Sequence, residues 1–404
     1  VIVRSLAVGA ACLAIPGQPA PVPTAQQGIR APREIRVVLA SLADEAPVGG
    51  TIPWKLTDAW GRTHASGTVA GTWLVERRGM RLRAVSADRA RETAWTDAAF
   101  AQLPATPTDP VTWNGRRYRG ELQFVATDTA ILVLNVLPIE EYLRGVVPLE
   151  IGPRTAIESA AIEAQAVAAR SYAIVRALEG VTRSHDIIAG TLDQVYGGID
   201  AELASSDVAI RASARQVLTY GGRVVRAPYS STCGGTTAAP AEVWVGSGEP
   251  WLRRVSDVDS TGRPWCAASP RFTWERSFDV PALSGAIARH LRRTRVPVIQ
   301  SVRAESTTAS GRVGMLALDA AGETIRLRGN DMRFALRDAS GAILNSTYFS
   351  VATAADGKII FRGRGNGHGV GMCQWGAIGR ARAGHDARRI LAAYFPGTSL
   401  TTLQ

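Results

Sequence analysis

The chain has 404 residues, 46% of them hydrophobic and 20% charged, so it can bury a large core and is too apolar for wholesale disorder. Its net charge is +11, and the basic residues are nearly all Arg, with Lys only at Lys55 and Lys358. A basic surface favours polyanions, but there is no Arg run interleaved with aromatics, no zinc finger and no basic helix, so nucleic acid is not an expected partner.

Residues 1–28 follow the order of a secretory signal and linker: Arg4, a short apolar run, then a Pro/Ala/Gln stretch. The run is short for a transmembrane helix, and no later segment is long and apolar enough to span a bilayer. The expectation is export, to the cell envelope, the periplasm or the outer face of the membrane. Gly9-Ala10-Ala11-Cys12 is a weak match to a lipoprotein acylation site, because Gly9 stands where a large apolar residue is usual.

Residues 29–128 read as a β-rich region. EIRVVLASL (34–42) is a buried strand, and short alternating runs follow, broken by VGGT, DAWGRT, VAGTW and an Asn114-Gly115 hairpin turn. Residues 129–404 read as a mixed core. TAILVLNVLP (129–138) is a strand, IEEYLRGVV a short helix, and 156–180 a long Ala-rich helix with Gly180 as its stop. Further helices are predicted over 201–217 and 281–293, with two short ones near the C-terminus, and a hairpin turns at Gly221-Gly222. Without regular βαβ alternation the fold class is α+β.

Three stretches could carry chemistry. In VVPLEIGP, Glu150 has only apolar neighbours before it and Gly152-Pro153 after it. It is either an exposed loop or helix-end charge, or a carboxyl whose neutral form is favoured and can serve as a general acid. Arg170 lies in the long helix, on one stripe with Glu163. In GRGNGHGVGMCQWG (363–376), six glycines surround His368, followed by Gln374 and Trp375; it is a compact turn or a ligand-approaching loop, and it is no phosphate cradle. In YSSTCGGTT (229–237), hydroxyls stand beside paired glycines, with no nucleophile elbow. The cysteines are Cys12, Cys233, Cys266 and Cys373. None forms a CxxC or a close cluster with His, so no metal site and no cofactor are expected, while a Cys233–Cys266 disulfide stays open.

Taken in order, LPIEEYLRGVVPLEIGP, IEAQAVAARSYAIV, DQVYGG, YSSTCGGTT and GNGHGVGMCQWGAIGRARAG…ILAAYFPGTSL resemble the SpoIID/LytB family over about 129–404. The resemblance implies a lytic transglycosylase acting on peptidoglycan glycan strands, preferably stripped of stem peptides, with Glu150 as its acid. It implies that Arg170 lines the same cleft, that Gln165 is a substrate contact or a structural residue, and that Tyr229, Ser231, Thr232, His368, Gln374 and Trp375 form further walls. The zinc-binding His and two Cys of some members are not matched here, since the segment ending at DQVYGG keeps His185 but has no Cys. Ser230 stands where His is frequent, and Cys373 where Ser is common. The rival implication is a wall-binding protein that enhances a peptidoglycan amidase.

Overall fold

EIRVVLASL pairs as an antiparallel strand, Glu34–Leu42, with Ile131–Pro138. The computed structural model describes residues 31–404 apart from 192, 245 and 247; the expected signal segment, linker and Cys12 lie outside the described residues. The two strands belong to a seven-stranded sheet ordered Ile187–Ile188, Glu34–Leu42, Ile131–Pro138, Glu121–Ala126, Phe100–Pro104, Trp54–Asp58 and Thr63–Gly67. Alternate side chains of a strand share a face, and Ile131, Val133 and Leu137 share one, so two cores divide the length of that face. Ile35, Val37 and Leu137 face the helices, while Phe124, Ile131 and Val133 pack with Trp54, Val75 and Phe100. The sheet runs across the expected 128/129 division, where Glu121–Ala126 and Ile131–Val136 pair residue for residue.

Helix α1 (Ile139–Ile151) follows the strand directly and extends beyond the short helix expected from IEEYLRGVV. Helix α2 (Ser159–Glu179) follows a single 3-10 turn. Ala161, Ala164, Ala168 and Ala169 are buried along α2, and small side chains let α1, α3 (Ala204–Ala212) and the C-terminal helices pack closely against it. The expected stop at Gly180 holds, for a different reason. Gly180 has an ordinary φ of −81°, and a Cβ there would lie 2.2 Å from Asp186 Oδ1. Helix α3 is shorter than the predicted 201–217: the chain turns at Ser213–Arg215, and Gln216–Tyr220 becomes a strand paired with Ser399–Thr402.

Residues 278–361 hold a separate apolar core. Leu283 and Ile287 of α4 (Val280–His290) pack there with Leu316, Leu318 and Phe361 from two three-stranded sheets. The chain then returns to the main core through the two-residue strand Met372–Cys373, α5 (Gln374–Arg382) and α6 (Ala387–Tyr394). Helices and strands are mixed as an α+β fold. No described helix is long and apolar enough to cross a membrane.

Candidate active site

The site begins at the end of α1. Pro148 lies inside the helix and has no N–H to give its last turn, and Gly152, at φ +75°, closes it by donating to Pro148 O at 3.0 Å. Pro153 then prevents continuation. Glu150 therefore sits in the last helical turn, not in the connection upstream of the long helix. The Val195 N–H donates to its Oε1 at 2.8 Å, and the side chains of Gln374 and Tyr229 face its carboxylate as neutral donors. Burial pushes the Glu150 carboxyl up, these three donors pull it back, and the net direction is up; no charged group takes part. The negative end of the α1 dipole acts in the same upward direction.

Each donor is held from behind. Tyr229 OH accepts from Gln194 Nε2 at 2.9 Å, and Gln194 Oε1 accepts from Tyr142 OH at 3.0 Å. Burial, then the nearby Glu150 charge, holds the Tyr229 phenol well above its ordinary value, so it stays a neutral donor. Gln374 Nε2 donates to Gln165 Oε1 at 3.3 Å, and Gln165 is fully buried. His368 holds the backbone of Tyr229. Its Nδ1 accepts from Val370 N–H at 3.0 Å, which leaves Nε2 to donate to Tyr229 O at 2.8 Å. Burial lowers the His368 pKa to about 4, so the ring is a neutral strut.

The glycines of 363–376 allow this apposition. Tyr229–Ser230 pairs in parallel with Met372–Cys373. Gly371, at φ +71°, lies so close that a Cβ would come within 2.1 Å of Pro228 O, and a Cβ on Gly369 would meet Arg312 Nη2 at 2.4 Å. Beside Tyr229 opens a cleft of about 590 Å³ lined by Gln194, His368, Trp244, Arg328 and Phe334 among others. The Trp244 ring stands 5.0 Å from that of His368 and is 37% exposed, a flat apolar platform at the rim.

Of the residues singled out in the sequence, Tyr229 and Gln374 are gathered around Glu150, with His368 and Gln165 behind them. Arg170 does not join them. It is 1% exposed, grips Glu140 through Nε at 2.7 Å and Nη2 at 2.8 Å, and donates to Gln216 O at 3.0 Å. Its partner is therefore Glu140, across the α1–α2 contact, and neither Glu150 nor Glu163. Thr232 is no exposed wall: it is buried, with its hydroxyl 2.8 Å from that of Ser269. Ser231 is half-buried and accepts the Trp375 N–H at 3.0 Å. The Trp375 ring packs with the Arg154 guanidinium 5.0 Å from its centre. Gln194, Val195 and Trp244 were not singled out. The first two lie in DQVYGG, where a glutamine amid apolar residues was the available signal; Trp244 carried none.

The thiols depart further from expectation. Cys233, Cys266 and Cys373 are free and buried. Cys233 and Cys266 approach to 3.7 Å without a bond, and Cys373 and Asp257 join them in one cluster. A close ligand cluster was not expected because its members are far apart in sequence.

Glu150, its carboxyl raised by burial and met by no charged partner, is thus backed by Tyr229, which together with Gln194 lines the aromatic-rimmed cleft. The family described as stage II sporulation protein matches residues 127–220, and a domain of unknown function (DUF8618) matches 266–371, the stretch built round the separate core. An uncharacterized protein of Brachyspira hyodysenteriae is 32% identical over 293 residues, 72% of this chain and 74% of that protein. The stage II sporulation protein D of Bacillus subtilis is 27% identical over 68% of this chain and 77% of its own length. The amidase enhancer of Bacillus subtilis is 29% identical over 64% of this chain but only 40% of that longer protein. The chain belongs to the SpoIID/LytB family.

Proposed function

We propose that the protein is an exported peptidoglycan lytic transglycosylase that cuts the bond between N-acetylmuramic acid and N-acetylglucosamine, with Glu150 as its acid and base. The observation that carries this reading is the Glu150 carboxyl, raised by burial, bonded by the Val195 N–H and faced only by the neutral side chains of Gln374 and Tyr229. Protonated Glu150 gives its proton to the glycosidic oxygen as the bond to the muramic C1 breaks. The resulting carboxylate takes the proton of the C6 hydroxyl, whose oxygen closes on C1. The product is a 1,6-anhydro end, Glu150 returns to its starting state, and no water is consumed.

Because the nucleophile belongs to the substrate, the two carboxylates of an ordinary glycosidase are not needed. Among the described residues, no second carboxylate shares the hydrogen bonds of Glu150. The nearby Asp193 is committed to Tyr172 at 2.8 Å and Arg176 at 3.3 Å. Trp244 offers a sugar face a stacking surface, and Gln194, Asn330 and Asp331 in the cleft lining offer partners to hydroxyl and acetamido groups. The division into a β-rich region over 29–128 and a catalytic core over 129–404 is part of this reading, with the shared sheet joining them.

The test is mass spectrometry of peptide-free glycan strands incubated with the wild-type protein and with Glu150→Gln. Anhydro-muramic products from wild type alone support the reading. Reducing-end products assign a hydrolase instead. Absence of products from both, with glycan binding retained and a wall amidase stimulated, assigns the enhancer role that the relative's name describes.

A further inference from the structure

We propose that Cys233, Cys266, Cys373 and Asp257 form a closed structural metal site that holds one zinc ion through three thiolates and one carboxylate oxygen. One ligand atom from each of the four residues lies within 4.8 Å of all the others, and all four residues are buried. The 3.7 Å between the sulfurs of Cys233 and Cys266 fits the edge of a tetrahedron with Zn–S bonds of about 2.3 Å, roughly 3.8 Å. Three sulfurs and one oxygen complete four-coordination and leave no open position, the mark of a structural rather than catalytic zinc. Soft thiolate ligands select zinc over magnesium or calcium.

Backbone N–H groups aim at two of the sulfurs, as they would at thiolates. Cys373 Sγ accepts from the N–H groups of Cys233 at 3.1 Å and Gly376 at 3.3 Å, and Cys233 Sγ accepts from Gly235 N–H at 3.4 Å. A neutral thiol is a weak acceptor, whereas a thiolate makes charge-assisted bonds. Three buried thiolates require a cation among them. Asp257 is fully buried and oriented as a ligand would be: its Oδ1 accepts from Arg380 Nη2 at 3.0 Å and Tyr394 OH at 2.8 Å, and its Oδ2 stands 3.2 Å from Cys233 Sγ. Such outer contacts fix a ligand's direction. Loading exchanges the three thiol protons, released to solvent, for one divalent ion. A Cys233–Cys266 disulfide would instead close those sulfurs to about 2.05 Å and leave the donors on Cys373 aimed at a lone thiol.

The ligands tie together three segments. Cys233 follows the Tyr229 strand, Cys373 immediately precedes Gln374, and Cys266 opens the stretch that leads into the separate core. The ion would thus pin the wall behind Glu150 without touching substrate. It differs from the His and two Cys that some relatives carry in the segment ending at DQVYGG, where this chain has no Cys.

The experiment is elemental analysis of the full chain purified under reducing conditions without chelator, followed by exchange of the bound metal for cobalt(II). The expected result is one zinc per chain, and a cobalt protein with sulfur-to-metal charge-transfer absorption and the intense d–d bands of tetrahedral thiolate coordination. Cys12→Ser and Glu150→Gln should keep the metal. Cys266→Ser and Asp257→Asn should weaken it at least tenfold in competition with a chromogenic chelator. Stripping should lower the unfolding temperature by roughly 5 °C or more. Should a cysteine variant fail to fold, the wild-type metal content and cobalt spectrum still decide. A metal-free wild type two hydrogens lighter than its sequence would mean a disulfide and overturn the proposal. So would a reduced wild type that takes up neither zinc nor cobalt.

Discussion

The two ends of α1 treat the same side chain in opposite ways. Glu140, in its first turn, lies at the positive end of the helix dipole and is clasped by Arg170 through two nitrogens, at 2.7 and 2.8 Å. Glu150, in its last turn, lies at the negative end and receives only an N–H, an amide and a phenol. A guanidinium fixes a carboxylate as an anion and makes it a strut. Neutral donors orient a carboxyl while leaving its proton available. One helix thus carries a glutamate pinned as an anion and a glutamate left without a charged partner, and what separates them is the charge of their neighbours.

The largest test of that contrast is Glu150→Gln, which should lower glycan cleavage by about 100- to 10,000-fold, the usual worth of a general acid, while thermal unfolding shows an intact fold. The same variant checks the pH sign. Folding favours protonated Glu150, so its contribution to stability is fully present below the usual carboxylate range and lost as pH rises through the raised value. Wild-type cleavage should fall along that same limb, and the stability difference between wild type and Glu150→Gln should shift in favour of the variant as pH rises.

Arg170→Ala should do the reverse. It should cost about 3 kcal/mol in urea unfolding, at the lower end for a broken buried pair because the Glu140 side chain stays 38% exposed. Cleavage per folded molecule should stay close to wild type. A variant that remained fully stable but lost cleavage would place Arg170 back in the cleft. Tyr229→Phe sharpens the contrast more finely: losing one neutral donor should raise the Glu150 carboxyl further and move the falling pH limb upward. Gln194 would lose its acceptor as well, at about 1 kcal/mol. Smallest is Thr232→Val, which removes the hydroxyl bonds to Ser269 and Ser231. It should cost about 1 kcal/mol in unfolding with cleavage unchanged.

How far these roles can be read from sequence depends on how local their causes are. The Asn114-Gly115 turn and the long Ala-rich helix follow from neighbours in the chain, and both are found, with Asn114 at φ 49° and Gly115 at φ 74°. Glu150 stands out because its company is apolar, but Pro148 suggests a break where the helix in fact continues for another turn. Arg170 had a plausible partner on its own stripe in Glu163, and nothing local pointed to Glu140, thirty residues upstream. The thiol cluster was still further from view. Cys233 and Cys373 are 140 residues apart, and the separate core over 278–361 is folded between them. Periodicity marks the buried face of an element, but not which distant element covers it.

The parallel pairing of Tyr229–Ser230 with Met372–Cys373 also sets an order of events. A nascent chain presents α1 early, with Glu150 already on it, but the strand that backs Tyr229 and the amide of Gln374 follow only after the separate core over 278–361. Closing so long a loop adds little to the entropy cost, which grows only with the logarithm of its length. It does impose a delay. Until that segment docks, the carboxyl lacks Gln374 and the strand that backs Tyr229, so the surroundings of Glu150 are completed only after residues far along the chain have emerged.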